Sequence, residues 1–127
     1  MMTFENTTPL EESIVNAMDG SDTGLFPFLP YILQDLWEIG SDPAVIIELI
    51  CRHFTRYSEL NLLDLGCGKG AISVKVAKNL NCFCHGIDGI PEFIEYARQK
   101  ALEYNVQQLC QFEAGDIRNK VKHLSGY

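Results

Sequence analysis

Nine consecutive residues, Leu62-Leu63-Asp64-Leu65-Gly66-Cys67-Gly68-Lys69-Gly70, limit what this chain can fold into more than any other stretch of it. An apolar run of strand length meets three glycines spaced by two. Beyond them Ile72, Val76 and Leu80 recur at helical spacing, with Lys75 and Lys78 on another face. A strand that turns on glycine straight into a helix is the first half of a βαβ unit. Gly66, Gly68 and Gly70 admit positive φ and remove the side chains that would hold a ligand away from the backbone. The first amides of the helix are unpaired donors, suited to a carboxylate or phosphate.

The same alternation continues downstream. Residues Cys82 to Ile87 read as a second strand ending at Asp88-Gly89, and Pro91 opens a helix whose Phe93, Ile94, Ala97, Ala101 and Tyr104 share a face before Asn105 ends it. Leu109 to Ala114 reads as a third strand, with Cys110, Phe112 and Ala114 alternating against Gln111 and Glu113, and it ends at Gly115-Asp116. Strands alternating with helices predict a parallel sheet with crossover helices. Upstream the pattern is helical. Leu10, Ile14, Val15 and Met18 mark one short helix in a leader reaching to about residue 28, broken at Gly20 to Gly24. Ile32, Leu33, Leu36, Trp37 and Ile39 predict a helix from Pro30 to Gly40. Asp42-Pro43 then caps another, with Val45, Ile46, Leu49, Ile50, His53 and Phe54 on a broad apolar stripe. His53 is expected there as a hydrogen-bonded, partly buried imidazole rather than a ligand.

Composition sets the outer bounds. The chain has 127 residues, 46% hydrophobic and 21% charged, which suits one domain and excludes disorder. No apolar run approaches the ~20 residues that span a bilayer, and the N-terminus lacks the basic and apolar segments of a signal peptide, so a cytoplasmic location is expected. The net charge of -7 and the absence of a basic cluster disfavour a nucleic-acid partner. Five cysteines without a Cys-x-x-Cys pair read as reduced thiols, with Cys82 and Cys84 as small core residues and no metal site.

The acids narrow the ligand. Asp88, 24 residues after Asp64, stands at the carboxyl end of the neighbouring strand, where its oxygens can accept both hydroxyls of a ribose. Asp64 lies inside an apolar strand and needs a cation or donors nearby. Asp116 ends the third strand, so three adjacent strands deliver an acid or a glycine turn to one rim. Such carboxylates would repel the phosphates of a dinucleotide but suit a ligand with an ammonium, a sulfonium, a ribose and an adenine amine, which is S-adenosylmethionine.

The nonapeptide, together with Gly86-Ile87-Asp88-Gly89-Ile90 and Ala114-Gly115-Asp116-Ile117, resembles the class I S-adenosylmethionine-dependent methyltransferases that carry a generic methyltransferase domain. The resemblance covers residues 62 to 117. It implies an α/β fold, a Rossmann-like doubly wound parallel sheet stopping after three strands, with a helical cap over residues 1–55 and the N-terminal half of the cofactor domain over 56–127. It also implies that Asp64 helps to hold the methionine amino group, that the backbone of Gly66, Cys67 and Gly68 lines the methionine and ribose, that Asp88 takes the ribose hydroxyls, and that Gly89 is part of the cofactor site. Ile90 would pack on the adenine, Asp116 would accept from its amine, and Ile117 would offer a backbone amide.

Two other readings compete. Gly66-x-Gly68-x-x-Ala71 also satisfies a dinucleotide fingerprint, which would make the chain a piece of an NAD(P)-binding oxidoreductase, although Asp64 and Asp116 would then be unexplained acids beside a pyrophosphate. A non-catalytic module that binds cofactor and uses the helices around Trp37 and Ile46 to hold a partner is the third. The full fold needs about 200 residues or more at ~30 per βα unit, whereas 57 residues follow Gly70. The expectation is therefore a truncated and nearly inactive chain, with an unpaired first-strand edge that a second copy could cover. A small molecule is the favoured methyl acceptor, and no catalytic residue is assigned; His85 and His123 are both passed over as bases.

Overall fold

The computed structural model describes residues 9–18 and 23–127. Its centre is a parallel sheet of order β1-β2-β3, formed by β1 (Asn61–Leu65), β2 (Phe83–Asp88) and β3 (Cys110–Ala114). Leu62 pairs with Cys84 and Cys84 with Cys110, so even-numbered residues of all three strands share one face. The helices α4 (Ala71–Leu80) and α5 (Pro91–Glu103) cover that face. Their Val74, Val76, Ala77, Ile94, Ala97 and Ala101 close over Cys82, Cys84 and Phe112 in one buried cluster. The expected strands are present to within a residue at each end, and Cys82 and Cys84 are fully buried. The core side of α4 is centred on Ser73, Val74 and Ala77, with the expected Ile72 and Leu80 only partly buried at its margin.

Asp42 accepts from the Ala44 amide and starts α3 (Pro43–His53) as expected. Ile46, Ile47 and Ile50 pack on the core, whereas Val45, Leu49 and Phe54 are exposed. The apolar stripe is therefore wider than the face that is covered. His53 sits on the uncovered side and is exposed, which corrects the expectation of a partly buried imidazole.

The N-terminal part departs most from expectation. The short helix α1 (Leu10–Ala17) is present, and of the expected Gly20 to Gly24 break, residues 20 to 22 lie outside those described. Residues Thr23–Phe28 form a 3-10 helix that leads into α2 (Leu29–Ile32). The expected helix from Pro30 to Gly40 stops after that single turn. The carbonyls of Leu33, Gln34 and Leu36, which a continuing helix would offer to amides four residues on, instead accept from the Lys69 ammonium. Nor is this part a mere leader: Val15 and Leu29 bury themselves against Ile90 and Phe93 at the start of α5.

β1 is paired on one side only, with β2, and Leu65 at its end is 44% exposed. On the sheet face away from the helices, His85 is buried with Nδ1 2.7 Å from the Tyr127 hydroxyl and Nε2 2.8 Å from Glu113 Oε2. Glu113 also pairs with Lys120, from the one-turn helix α6 (Ile117–Lys120), at 2.9 Å.

Candidate functional site

The carboxyl ends of the three parallel strands open into a cavity of about 390 Å³, within the range of small-molecule sites. All nine residues expected to contact a cofactor line it: Asp64, Gly66, Cys67, Gly68, Asp88, Gly89, Ile90, Asp116 and Ile117. Parallel strands end at one rim, so residues far apart in sequence converge there without any special device.

The glycine turn is built as its sequence requires. Gly66, Gly68 and Gly70 have φ of +74°, +55° and +78°, values that a side chain makes costly. The amides of Gly66 and Cys67 both donate to the Ile87 carbonyl, at 2.8 and 3.0 Å, which fixes the turn against the end of β2. Asp88 continues that link. Its Oδ2 accepts from the Gly68 amide at 2.9 Å and its Oδ1 from the Ile90 amide at 3.0 Å. Each carboxylate oxygen retains a further lone pair for a ligand hydroxyl.

The three acids differ electrostatically. Burial pushes the Asp64 carboxyl above its ordinary value; the Ser73 hydroxyl, donating at 3.1 Å, draws it back, and the nearby Asp88 adds to the rise. Burial likewise raises Asp88, against the opposing pull of the Ile90, Gly68 and Gly89 amides. These two carboxylates are short of positive charge, and a ligand ammonium would supply it. Asp116 differs: its bonds to the Arg118 guanidinium, at 2.6 Å from Nη2 and 3.0 Å from Nε, hold it below its ordinary value. It also caps α6 through the Arg118 amide. Any donor reaching Asp116 from the cavity therefore meets an ion-paired carboxylate.

Cys67 is buried and its thiol is pushed far up, by burial first and then by Asp64 and Asp88, which makes it a poor nucleophile. Ile90 lines the cavity but is 2% exposed, packed on Val15, Leu29 and Phe93. Most of its side chain supports the wall from behind.

Residues that sequence reasoning did not assign complete the enclosure. Ile14 and Leu10 of α1 lie over Gly89, so close that a Cβ there would sit 2.5 Å from Ile14 Cδ1. Trp37, Glu38, Ile39, Gly40 and Ser41 form the opposite wall. Ile39 lies over Gly68, 3.0 Å from where a Cβ would stand. The only available signal for Ser73 is a hydroxyl on the apolar side of α4; nothing local marks Lys69 or Arg118. None of the three histidines lines the cavity.

Comparison with known proteins agrees with this geometry. The profile of a family described as "Methyltransferase domain" matches residues 57–125. Among curated proteins, norajmaline N-methyltransferase of Rauvolfia serpentina is 37% identical over 59 residues, which is 46% of this chain and 20% of that protein. The chain thus spans about a fifth of the length of the curated relatives it matches. An RNA methyltransferase from Salinibacter ruber, solved with S-adenosyl-L-homocysteine, superposes with a TM-score of 0.53 at 27% identity, covering 61% of this chain and 50% of that one. A SAM-dependent methyltransferase from Geobacter sulfurreducens, also solved with S-adenosyl-L-homocysteine, gives 0.51 at 26% identity, covering 61% and 30%.

Proposed function

As this chain belongs to the methyltransferase-domain family, we propose that its strand-end cavity binds S-adenosylmethionine and that the protein transfers the sulfonium methyl group to a small-molecule acceptor. The observation that carries this is the pair of half-buried carboxylates, Asp64 and Asp88, that line one cavity beside the glycine turn, both raised by desolvation. A dinucleotide pyrophosphate would meet their repulsion, whereas an ammonium and a ribose would relieve or use them.

When bound, the cofactor supplies an electrophilic methyl group. The chain's own residues hold and orient it. Asp64 would offer an acceptor to the methionine ammonium, the Gly66 to Gly68 backbone would line the amino-acid moiety and ribose, and Asp88 would accept from the ribose hydroxyls. Asp116 and Ile117 would hold the adenine, and Asp116 would then share its carboxylate between the adenine amine and Arg118. In-line displacement draws its rate from positioning and exclusion of water, and α1 with residues 37 to 41 supplies the exclusion here. No side chain is assigned as a base.

The same reading divides the chain into a helical cap over 1–55 and a cofactor-binding half-domain over 56–127. Small-molecule acceptors are favoured by the likeness to a norajmaline methyltransferase and by the net charge of -7, which opposes the RNA acceptor suggested by the name of the Salinibacter protein. No helix among the described residues is long and apolar enough to cross a membrane. Free thiols at all five cysteines support a reducing, cytoplasmic setting. A second copy of the chain against the open edge of β1 belongs to the proposal as its oligomeric variant.

Calorimetric titration with S-adenosylhomocysteine, S-adenosylmethionine and NAD tests the reading. Binding of the first two, with a loss of tenfold or more in Asp88→Ala at unchanged circular dichroism, is expected. Binding of NAD alone would move the chain to the oxidoreductases, and an unaffected Asp88→Ala would remove the ribose assignment.

A further inference from the structure

Lys69, between Gly68 and Gly70 of the glycine turn, does not line the cavity and is 3% exposed. A buried ammonium needs partners, and the structure gives it three from one source. The carbonyls of Leu33, Gln34 and Leu36 converge on its Nζ, the last at 2.6 Å. The Tyr96 ring stands 4.7 Å away and the Phe93 ring 5.8 Å, both within cation–π range. Burial pushes the ammonium below its ordinary value, with Asp35 partly restoring it.

The contact is reciprocal. While the Lys69 side chain holds residues 33 to 36, its own carbonyl accepts from Trp37 Nε1 at 3.0 Å. Trp37 is held in turn against Tyr104, with ring centroids 5.2 Å apart, and the ammonium groups of Lys75 and Lys100 each lie 5.0 Å from its ring. Lys75 also pairs with Glu38. Residues 37 to 41, which follow directly, are the cavity wall, and Ile39 rests on Gly68. The glycine turn, whose Gly68 amide is bound by Asp88, and the strap that closes over it are therefore joined through one residue.

We propose that Lys69 is a positioning residue for the cofactor, its ammonium clasping the strap of residues 33–41 onto the glycine turn so that the outer wall of the cavity is fixed. The inference rests on the cofactor reading given above. It assigns Lys69 no contact with the ligand. Its effect is on how long the ligand stays, because the strap must leave the turn before the ligand can escape on that side.

The test compares the full chain with Lys69→Met, which keeps the stem and removes the donors, and with Lys69→Arg, whose planar guanidinium cannot converge on three carbonyls from one atom. Trp37 is the single tryptophan, so its indole N–H signal and its fluorescence report on the strap alone. Hydrogen exchange at residues 33–37 is expected to quicken at least tenfold in both variants while the strand amides keep their protection. Dissociation of S-adenosylhomocysteine is expected to quicken about tenfold with little change in association. Unchanged exchange at the strap in whichever variant folds would overturn the clasp. A freed strap with unchanged dissociation would overturn its role in cofactor retention. If the unaltered chain binds no S-adenosylhomocysteine, the cofactor reading fails by itself; that outcome overturns the retention role, while the exchange result still decides the clasp.

Discussion

Gly70 is the position at which one methyl group should have the largest readable effect. It has φ +78°, and a Cβ there would lie 2.6 Å from the Ala97 Cβ and 3.0 Å from Phe112 Cζ. For Gly70→Ala, the left-handed backbone costs about 1–2 kcal/mol, and forcing a methyl into a packed contact adds about 1–3 kcal/mol. A loss of roughly 2–5 kcal/mol is expected, a large share of a typical domain's ~5–15 kcal/mol. Ala97→Gly by itself should cost about 1.5 kcal/mol, from helix propensity and one buried methyl. If the Ala97 methyl is the main obstacle, the double variant should be more stable than the sum of the singles by about 1–2 kcal/mol, leaving the backbone strain and the tighter Phe112 contact. Urea unfolding followed by far-ultraviolet circular dichroism measures all four corners of this cycle. Additivity within about 0.5 kcal/mol would refute the contact between α5 and the turn as the reason for glycine at this position.

Other perturbations separate charge from packing. Asp64→Asn removes a carboxylate that burial disfavours and keeps an acceptor for Ser73, so it should be at least as stable as the parent at neutral pH while binding S-adenosylhomocysteine tenfold or more weakly, by calorimetry. Because the folded carboxyl lies above its ordinary value, Asp64 contributes most stability below the unfolded carboxylate range and loses it as pH rises through the folded value; the parent's urea midpoint should therefore fall relative to the variant's as pH rises above the ordinary carboxylate value of about 4. Iodoacetamide at about pH 8 should modify exposed Cys51 first, with Cys67, Cys84 and Cys110, the last pushed up to about 12, protected until unfolding. Peptide mass spectrometry reads the order, and early labelling of Cys67 would contradict its burial.

What could be read from sequence was local. The change of hydrophobic period near residue 60 and the acids at strand ends sit within a few residues of what they cause, and Asp64, the glycine turn, Asp88 and Asp116 follow from them, whereas Ile90 and Ile117 come with the family resemblance. The Pro30 to Gly40 segment has a sound helical pattern, yet its carbonyls are captured by a lysine 33 to 36 positions away, which no window around residue 35 contains. His53 and its neighbours failed for a related reason. An apolar stripe says that a helix can be covered, but what lies over Val45, Leu49 and Phe54 is decided by tertiary placement. Arg118 on Asp116 is a similar case: the acid was legible, its partner was not.

The Ile87 carbonyl, accepting from the Gly66 and Cys67 amides, and Asp88, accepting from that of Gly68, tie down the loop before any ligand arrives. The conformational entropy of three glycines is thereby lost during folding and not during association. A cofactor entering this cavity meets a rigid floor. Its binding enthalpy should be offset by little ordering of the turn, and its selectivity follows from a shape that cannot relax around a ligand of different outline.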